Sequence, residues 1–289
     1  MGPPKKFMKF LRYGDRGAEK PALIDENGKI KDISKYIKDL NPETINIDKF
    51  NNIYKKIDTR NLPEVKNSVR IGSCISNPEK FIGIGLNYSD HAKETGMKIP
   101  NEPIIFLKAN SCLSGPYDNV MIPKYSKKTD WEVELGIVIG KKAQYVNEKD
   151  SNEFIFGYCA VNDISEREFQ IERGGQWDKG KGCDTFGPVG PYLITKDEIE
   201  NVQNLDLELK VNGKLMQKGN TNKMIFNVKK IVSYLSHFMT LKPGDIITTG
   251  TPPGVGMAQK PQIFLKDGDV MDLEIEKLGS QKQKVVTFK

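Results

Sequence analysis

Short apolar runs, each about the length of a strand, recur along the chain from residue 81 onward. The runs Phe81–Leu86, Ile104–Leu107, Glu132–Ile139 and Tyr158–Val161 predict strands. The clearest helical pattern is Met224–Phe238, where apolar residues recur at the spacing of one helix face. Many strands and few helices predict a mixed, β-rich α+β fold rather than a doubly wound parallel sheet.

Turn signals join some of these strands into hairpins. Leu205–Val211 runs through Asn212-Gly213 into Lys214–Gln217, and an Asn-Gly pair between two strands is the signature of a type I′ turn. Asn27-Gly28 carries the same signature, with a strand resuming at Ile30. We therefore expect two type I′ hairpins, one near each end of the chain.

The first part of the chain differs from the rest. Phe7–Tyr13 and Pro21–Ile24 are short strand-like runs, and a polar segment with only weak helical spacing follows them. The pattern becomes denser and more regular after Ser73–Pro78. We predict a small N-terminal domain at residues 1–72 and a larger domain, carrying the candidate chemistry, at residues 73–289.

Composition narrows the class of protein. Hydrophobic residues make up 37% and charged residues 28% of the chain, which is typical of a soluble globular protein. No apolar run approaches the roughly 18 residues of a membrane helix, and no apolar segment follows the basic start, so we expect a cytoplasmic protein without membrane contact. The net charge of +6 is spread along the chain, which argues against nucleic-acid binding. The four cysteines form no C-x-x-C pair and predict free thiols.

Three acidic residues carry the strongest chemical signal. A strand's period of two places Glu132 and Glu134 on one face, and the apolar run Ile137–Ile139 after them indicates a buried strand. Two such carboxylates repel each other unless a cation lies between them, although an amphipathic surface strand would have the same pattern. Asp163 ends another apolar strand, as a ligand or as the N-cap of a short helix at Ile164–Ile171. Carboxylates without histidine favour Mg²⁺, Mn²⁺ or Ca²⁺.

A histidine and a glutamate form a second candidate pair. Ser89 or Asp90 can cap a helix, on which His91 and Glu94 would share one face at a spacing of three residues. A carboxylate beside an imidazole fixes its tautomer and makes it a competent general base. An ordinary surface contact is the alternative for such a pair.

The glycine-rich segments do not form nucleotide sites. Gly83-Ile84-Gly85 lacks the third glycine of a dinucleotide fingerprint, and the run from Gly175 to Lys181 has Gly182 where a P-loop needs Ser or Thr. The segment Gly174–Gly190 instead predicts a mobile lid. Lys181 within it would supply positive charge to a substrate anion, or it is one more solvated lysine.

Taken together, these motifs resemble the fumarylacetoacetate hydrolase family, in order and spacing from about residue 75 to the end. The matching segments are Gly85-Leu86-Asn87-Tyr88-Ser89-Asp90-His91, Glu132-Val133-Glu134-Leu135-Gly136, Asn162-Asp163-Ile164-Ser165-Glu166-Arg167, Lys181-Gly182-Cys183-Asp184-Thr185-Phe186-Gly187-Pro188, Val211-Asn212-Gly213 and Thr249-Gly250-Thr251-Pro252-Pro253-Gly254-Val255-Gly256. Leu86 stands where many relatives carry arginine.

The resemblance implies a core of curled mixed β-sheets in a homodimer. It implies a divalent metal, Mg²⁺ or Mn²⁺, with Ca²⁺ as a substitute in a crystal. The implied site residues are metal ligands, a water-activating pair with a catalytic lysine, and substrate contacts: Glu132, Glu134 and Asp163; His91, Glu94 and Lys181; Arg167, Gln170 and Thr251.

The implied reaction is metal-dependent hydrolysis of a C–C bond in a small 2,4-dioxo acid, giving pyruvate and a carboxylic acid. The segments Met8–Gly14 and Gly174–Lys181 are similar to a subgroup that hydrolyses 2,4-diketo-3-deoxy sugar acids. Acylpyruvates are the other expected substrates. The alternatives are a 2-hydroxyhepta-2,4-diene-1,7-dioate isomerase, an oxaloacetate decarboxylase, a ureidoglycolate lyase, and a metal-dependent oxo-acid-binding protein without catalytic activity.

Overall fold

The computed structural model describes residues 9–96 and 98–289. Its strands are Lys9–Tyr13 (β1), Lys20–Ile24 (β2), Ile30–Asp32 (β3), Phe81–Gly85 (β4), Ile104–Lys108 (β5), Leu113–Ser114 (β6), Val120–Ile122 (β7), Thr129–Asp130 (β8), Val133–Ile139 (β9), Ile155–Asn162 (β10), Ser165–Glu166 (β11), Gly187–Pro188 (β12), Leu193–Thr195 (β13), Asp206–Val211 (β14), Lys214–Asn220 (β15), Ile246–Thr248 (β16), Val270–Ile275 (β17) and Gly279–Thr287 (β18).

Helices are short and lie between the strands. The α-helices are Ile47–Tyr54 (α1), Ser89–Thr95 (α2), Asp178–Lys181 (α3) and Val228–Ser236 (α4). A π-helix spans Glu168–Glu172. The 3₁₀ turns are Thr59–Asn61, Asn110–Cys112, Glu148–Phe154, Lys196–Glu198, Thr221–Lys223 and Gly256–Ala258.

A nine-stranded sheet forms the centre of the molecule, in the order β3-β2-β1-β13-β10-β9-β16-β4-β5. Every residue of β9 and of β10 is buried, as the apolar run in Ile137–Ile139 predicts for a strand covered on both faces. These two strands are antiparallel, with Asn162 opposite Val133 and Cys159 opposite Gly136. Their register brings the start of β9 and the end of β10 to the same place.

A second sheet of five strands has the order β15-β14-β17-β18-β7. Its hairpin between β14 and β15 turns at Asn212 and Gly213, whose φ angles of 51° and 77° confirm the type I′ turn. The hairpin between β2 and β3 is also present, but the type I′ prediction there is wrong. Gly28 has a φ of 75°, whereas Asn27 has no positive φ; its amide donates to the side chain of Asp25.

The first strands extend the large sheet. β1 pairs with β13, and Lys9 lies opposite Ile194. Phe50 of α1 packs edge-on against Phe10 of β1 and Phe156 of β10, with ring centroids 4.8 and 5.0 Å apart. Residues 9–72 thus share a sheet and a core with the remainder, while the division into two domains stays a prediction. Residues 7 and 8 of the predicted first strand lie outside the described residues.

The mixed, β-rich α+β class is confirmed, with open sheets rather than closed barrels. The helix predicted from Met224 begins later, at Val228, because the side chain of Asn227 accepts a hydrogen bond from the Lys230 amide and caps it there. Within the described ranges, the helices are all too short or too polar to cross a membrane.

Candidate metal centre

Two neighbouring strands bring three carboxylates together. Glu132 and Glu134 lie at the start of β9, and Asp163 follows the last residue of β10. The antiparallel register continues past the strand end, where the Asp163 amide donates to the Glu132 carbonyl at 2.9 Å. One oxygen from each carboxylate lies within 4.8 Å of the other two, and all three residues are buried. The period-two prediction for the strand and the strand-end prediction for Asp163 therefore lead to one site.

Three buried cations surround this triad. Lys181 Nζ donates to Glu132 Oε2 at 2.9 Å and to Asp163 Oδ2 at 2.7 Å. Lys108 Nζ donates to the other oxygen of Asp163 at 2.6 Å. Arg167 Nη2 lies 2.7 Å from Glu132 Oε1, without the alignment of a hydrogen bond. That nitrogen is buried and keeps a donor for a bound ligand.

The cations divide the triad into two electrostatic environments. Burial alone would raise the pKa of Glu132, but Lys181 and Arg167 outweigh it and hold that pKa well below its usual range. Burial, together with the charges of Asp163 and Glu132, raises the pKa of Glu134 well above its usual range. This environment favours a proton or a cation at Glu134, and the oxygen donor set fits a hard divalent ion such as Mg²⁺ or Mn²⁺.

The end of β16 fixes Glu134 from the other side. Thr248 Oγ1 and the Gly250 amide donate to Glu134 Oε2 at 2.5 and 2.7 Å. Thr251 follows in the same segment and lines the cavity above the triad. Its hydroxyl donates to the Val133 carbonyl at 2.9 Å and accepts from Gln217 Nε2 at 2.8 Å.

The predicted histidine–glutamate pair forms beside the triad. His91 Nδ1 lies 3.0 Å from Glu94 Oε2, and the Gly254 amide donates to both oxygens of Glu94 at 3.1 and 3.2 Å. His91 lines the same cavity as Glu132 and Glu134. The predicted cap is wrong, however: α2 begins after Tyr88, and no side chain caps it.

The segment after Asp163 differs from the predicted helix at Ile164–Ile171. Ser165 and Glu166 form β11 instead, which pairs with β8, because Glu166 accepts hydrogen bonds from the amides of Lys128 and Phe169. The π-helix starts only at Glu168. This extended stretch, followed by the π-helix, places two residues that were predicted to contact the substrate at the cavity.

Those two residues, Arg167 and Gln170, are buried and hydrogen-bonded to each other at 3.0 Å. Arg167 Nε also donates to Asp130 Oδ2 at 2.9 Å. Asp130 in turn accepts from the amides of Gly256 and Met257, so it anchors both the arginine and the loop beside it.

The segment Gly174–Gly190 is more ordered than a bare loop. It contains α3 and β12, and it brings the buried Lys181 down onto the triad. Gly180 lies so close to β11 that a Cβ there would meet the Glu166 carbonyl at 2.3 Å. Opening of this segment as a lid stays a prediction. The reading of Lys181 as a solvated lysine is wrong.

Sequence reasoning missed several residues of the site. Lys108 ends the apolar strand β5 and is fully buried, and Asp130 stands two residues before Glu132. A lysine at the end of an apolar run was the signal that could have found Lys108, whereas Asp130 follows a polar segment. Phe106 and Trp177, which form the apolar wall of the cavity, had no such signal. Every residue predicted for the triad, the pair and the substrate contacts lines this cavity or lies directly against it. Their roles in catalysis stay predictions.

Comparison with known proteins places this site in context. The family model for the C-terminal part of fumarylacetoacetate (FAA) hydrolase matches residues 80–286. A curated relative from Burkholderia orbicola, provisionally named a hydrolase, is 54% identical over 96% of this chain and 98% of its own.

Solved structures agree over the whole fold. Fumarylacetoacetate hydrolase from Exiguobacterium antarcticum has a TM-score of 0.87 at 32% identity, covering 97% of this chain and all of its own. Maleylpyruvate hydrolase from Sphingobium sp. SYK-6, in complex with manganese(II) and pyruvate, has a TM-score of 0.82 at 29% identity, covering 98% of this chain and 100% of its own. A 2-hydroxyhepta-2,4-diene-1,7-dioate isomerase from Mycobacterium marinum has a TM-score of 0.78 at 30% identity, covering 97% and 98%. The chain belongs to the fumarylacetoacetate hydrolase family.

Proposed function

We propose that the protein is a divalent-cation-dependent hydrolase that cleaves the C3–C4 bond of a small 2,4-dioxo acid. One observation carries the proposal: a buried oxygen triad, a buried lysine and a histidine–glutamate pair meet in one cavity. The similarity to hydrolases, one of which holds manganese(II) and pyruvate, supports the same chemistry.

Glu132, Glu134 and Asp163 would hold the cation, with Mg²⁺ or Mn²⁺ as the expected ion. When bound, it would act as a Lewis acid and neutralise the negative charge that develops on the leaving pyruvate as the C3–C4 bond breaks. The raised pKa of Glu134 supports this assignment, because three buried carboxylates cannot all ionise there without additional positive charge.

His91 would take a proton from the attacking water. Glu94 Oε2 lies 3.0 Å from His91 Nδ1, and the Gly254 amide holds Glu94 in place, so the carboxylate would orient the imidazole as the base. The resulting hydroxide adds to C4 of the substrate. Water therefore supplies the oxygen of the new carboxylate and, through His91, the proton that completes the methyl group of pyruvate.

Lys181 and Arg167 would bind the substrate's anionic end. Lys181 Nζ lies between Glu132 and Asp163, where a positive charge stabilises negative charge on oxygens brought to the triad. Arg167 Nη2 is buried 2.7 Å from Glu132 Oε1, beside the triad, and Gln170 orients the guanidinium by accepting from Nη1. Thr251 would contact the substrate away from its anionic end, because its hydroxyl donates to the Val133 carbonyl and accepts from Gln217 Nε2.

The test is an NMR-monitored incubation of the protein with acylpyruvates, 2,4-diketo-3-deoxy sugar acids and oxaloacetate, each with Mg²⁺ and with EDTA. Pyruvate that forms from a 2,4-dioxo acid only with the cation supports the hydrolase. If oxaloacetate is the only compound that reacts, and it releases carbon dioxide, the protein is a decarboxylase instead. If a substrate is tautomerised but not cleaved, the protein is an isomerase.

The same experiment also tests for a ureidoglycolate lyase and for an oxo-acid-binding protein without catalytic activity. Glyoxylate and urea from added ureidoglycolate would identify a lyase. Cation-dependent binding of oxalate without turnover of any compound would leave an oxo-acid-binding protein and refute the proposed reaction.

A further inference from the structure

One wall of the cavity is apolar and aromatic. The rings of Phe106 and Trp177 contact each other with centroids 5.7 Å apart at 52°. Trp177 lies over Gly85, where an added Cβ would be 2.4 Å from the indole. Ile171 stands at the mouth and is 43% exposed. Phe106 connects this wall to the polar end, because Lys181 Nζ lies 4.9 Å from its ring centroid.

The cations of the cavity are already paired with carboxylates. Among the described residues that line it, Lys181 is shared by Glu132 and Asp163, and Arg167 is shared by Asp130 and Glu132. In the proposed reaction these two cations bind the C1 carboxylate of the 2-oxo acid. A second carboxylate farther out would meet the apolar wall.

Two cations at the rim next to Ile171 are also paired with carboxylates, and the Lys179 ammonium donates to the Arg173 carbonyl. Lys128 forms an ion pair with Glu172, and Arg173 forms one with Glu168 at 2.7 Å. A negative charge on the distant part of a substrate would have to compete with these acidic partners. Burying it against aromatic rings without a partner is unfavourable.

We propose that this wall, defined by Phe106, Trp177 and Ile171, binds the acyl part of the substrate beyond C4, and that this part is apolar and uncharged. The inference rests on the proposed function. It assigns the substrate to acylpyruvates with an aliphatic or aromatic acyl group. It excludes dicarboxylic 2,4-dioxo acids and the polyhydroxylated sugar acids as preferred substrates.

The first experiment compares two substrates of equal size. In 4-methylpentanoylpyruvate an isopropyl group stands where succinylpyruvate has a carboxylate. With Mg²⁺, we expect kcat/KM at least roughly tenfold higher for the isopropyl compound, since the carboxylate must lose its hydration. Each methylene added between acetylpyruvate and pentanoylpyruvate should raise kcat/KM by roughly threefold to fourfold until the cavity is full. Equal or faster turnover of succinylpyruvate, or of a sugar acid, overturns the inference.

Substitutions at Ile171 and Trp177 test whether these residues of the wall select the acyl group. Ile171→Lys adds a cation at an exposed position and should raise the succinyl-to-isopropyl ratio of kcat/KM by about tenfold, with Ile171→Leu as the matched control. Trp177→Ala should lower the pentanoyl-to-acetyl ratio, and Trp177→Phe should restore most of it. A purely structural defect would lower both substrates equally and leave the ratios unchanged, which would count against the wall.

Binding of uncleavable probes separates this inference from the proposed function. N-(2-methylpropyl)oxamate and N-(carboxymethyl)oxamate carry the same two kinds of tail on an oxo-acid-like head. If calorimetry shows tighter binding of the alkyl probe but no acylpyruvate is turned over, the apolar binding wall is supported and the proposed hydrolase activity is refuted. Turnover of acetylpyruvate with no preference between tails, in either assay, would retain the hydrolase and refute the wall.

Discussion

Replacement of Glu134 by glutamine tests the electrostatic account of the centre. Burial and two neighbouring carboxylates raise the pKa of Glu134 well above its usual range, which favours the protonated form when no cation is bound. Its Oε2 accepts hydrogen bonds from Thr248 and Gly250. Glutamine has the same shape, no charge, and an oxygen that can accept both. Glu134→Gln should therefore resemble the protonated wild type.

The expected magnitudes differ with and without the cation. In EDTA and at the acidic end of the pH range, where the carboxyl is protonated in both the folded and the unfolded protein, the free energy of unfolding of Glu134→Gln should stay within about 1 kcal/mol of the wild type, since both hydrogen bonds are kept. A cation at about 100 times its Kd should stabilise the wild type by about 2.7 kcal/mol. With an unfolding entropy of roughly 0.6 kcal/mol/K for a chain of this length, that is a rise in Tm of roughly 4–5 °C. The variant should show no such rise.

The pH dependence has a definite sign. The carboxyl of Glu134 binds its proton more tightly in the folded than in the unfolded protein, so its stabilisation is complete below the unfolded pKa and is lost as pH rises through the folded pKa. In EDTA the wild type should lose up to about 1.4 kcal/mol per pH unit in that window relative to Glu134→Gln. The lowered pKa of Glu132 has the opposite sign but is common to both proteins.

The assay is denaturant and thermal unfolding of both proteins from pH 4.5 to 8, in EDTA and with Mn²⁺. The reasoning is refuted if the variant is several kcal/mol less stable than the wild type in EDTA at neutral pH. That result would mean that Glu134 is ionised and paired. A Mn²⁺-induced shift of wild-type size in the variant would remove Glu134 from the ligand set.

Three other substitutions probe neighbouring groups. His91→Ala should lower kcat by roughly 10²–10⁴-fold with cation affinity unchanged by calorimetry, as for a lost general base; unchanged turnover would exclude that role. Lys181→Met should lower kcat by roughly 10²-fold or more while cation affinity is kept or increased; an effect on KM alone would contradict transition-state stabilisation. Lys108→Met leaves Asp163 without its 2.6 Å partner and should cost about 3–5 kcal/mol of unfolding free energy in EDTA, partly recovered with Mg²⁺. A loss under about 1 kcal/mol would show that Lys108 is dispensable.

The elements that could be predicted are those specified by their own residues. Alternation and β-branched runs indicate β9 and β10, and an Asn-Gly pair between two strands specifies the turn at Asn212. The same pair at Asn27 takes another turn, because the side chain of Asp25 accepts the Asn27 and Lys29 amides and closes the loop differently. The turn that an Asn-Gly pair forms therefore also depends on the residues that precede the pair.

What could not be predicted depends on contacts between distant residues. Glu132 and Glu134 share a face by strand period alone, but the place of Asp163 depends on the register of two strands. Lys108 is separated from Asp163 by 55 positions and meets it only through the fold. The helix predicted at Ile164–Ile171 failed for the same reason, since pairing with β8 holds its first residues extended.

The charges of the centre explain why it needs lysines as well as a cation. Four buried carboxylates face three buried cations: Asp130, Glu132, Glu134 and Asp163, against Lys108, Arg167 and Lys181. Glu94, beside His91, adds a fifth carboxylate next to the same cavity. Carboxylates thus outnumber the buried lysine and arginine cations, and burial with the neighbouring charges raises the pKa of Glu134. A divalent cation would offset this excess of negative charge. A second carboxylate on the substrate would add to it, and the same electrostatics therefore favour the uncharged acyl group proposed for the Trp177 wall.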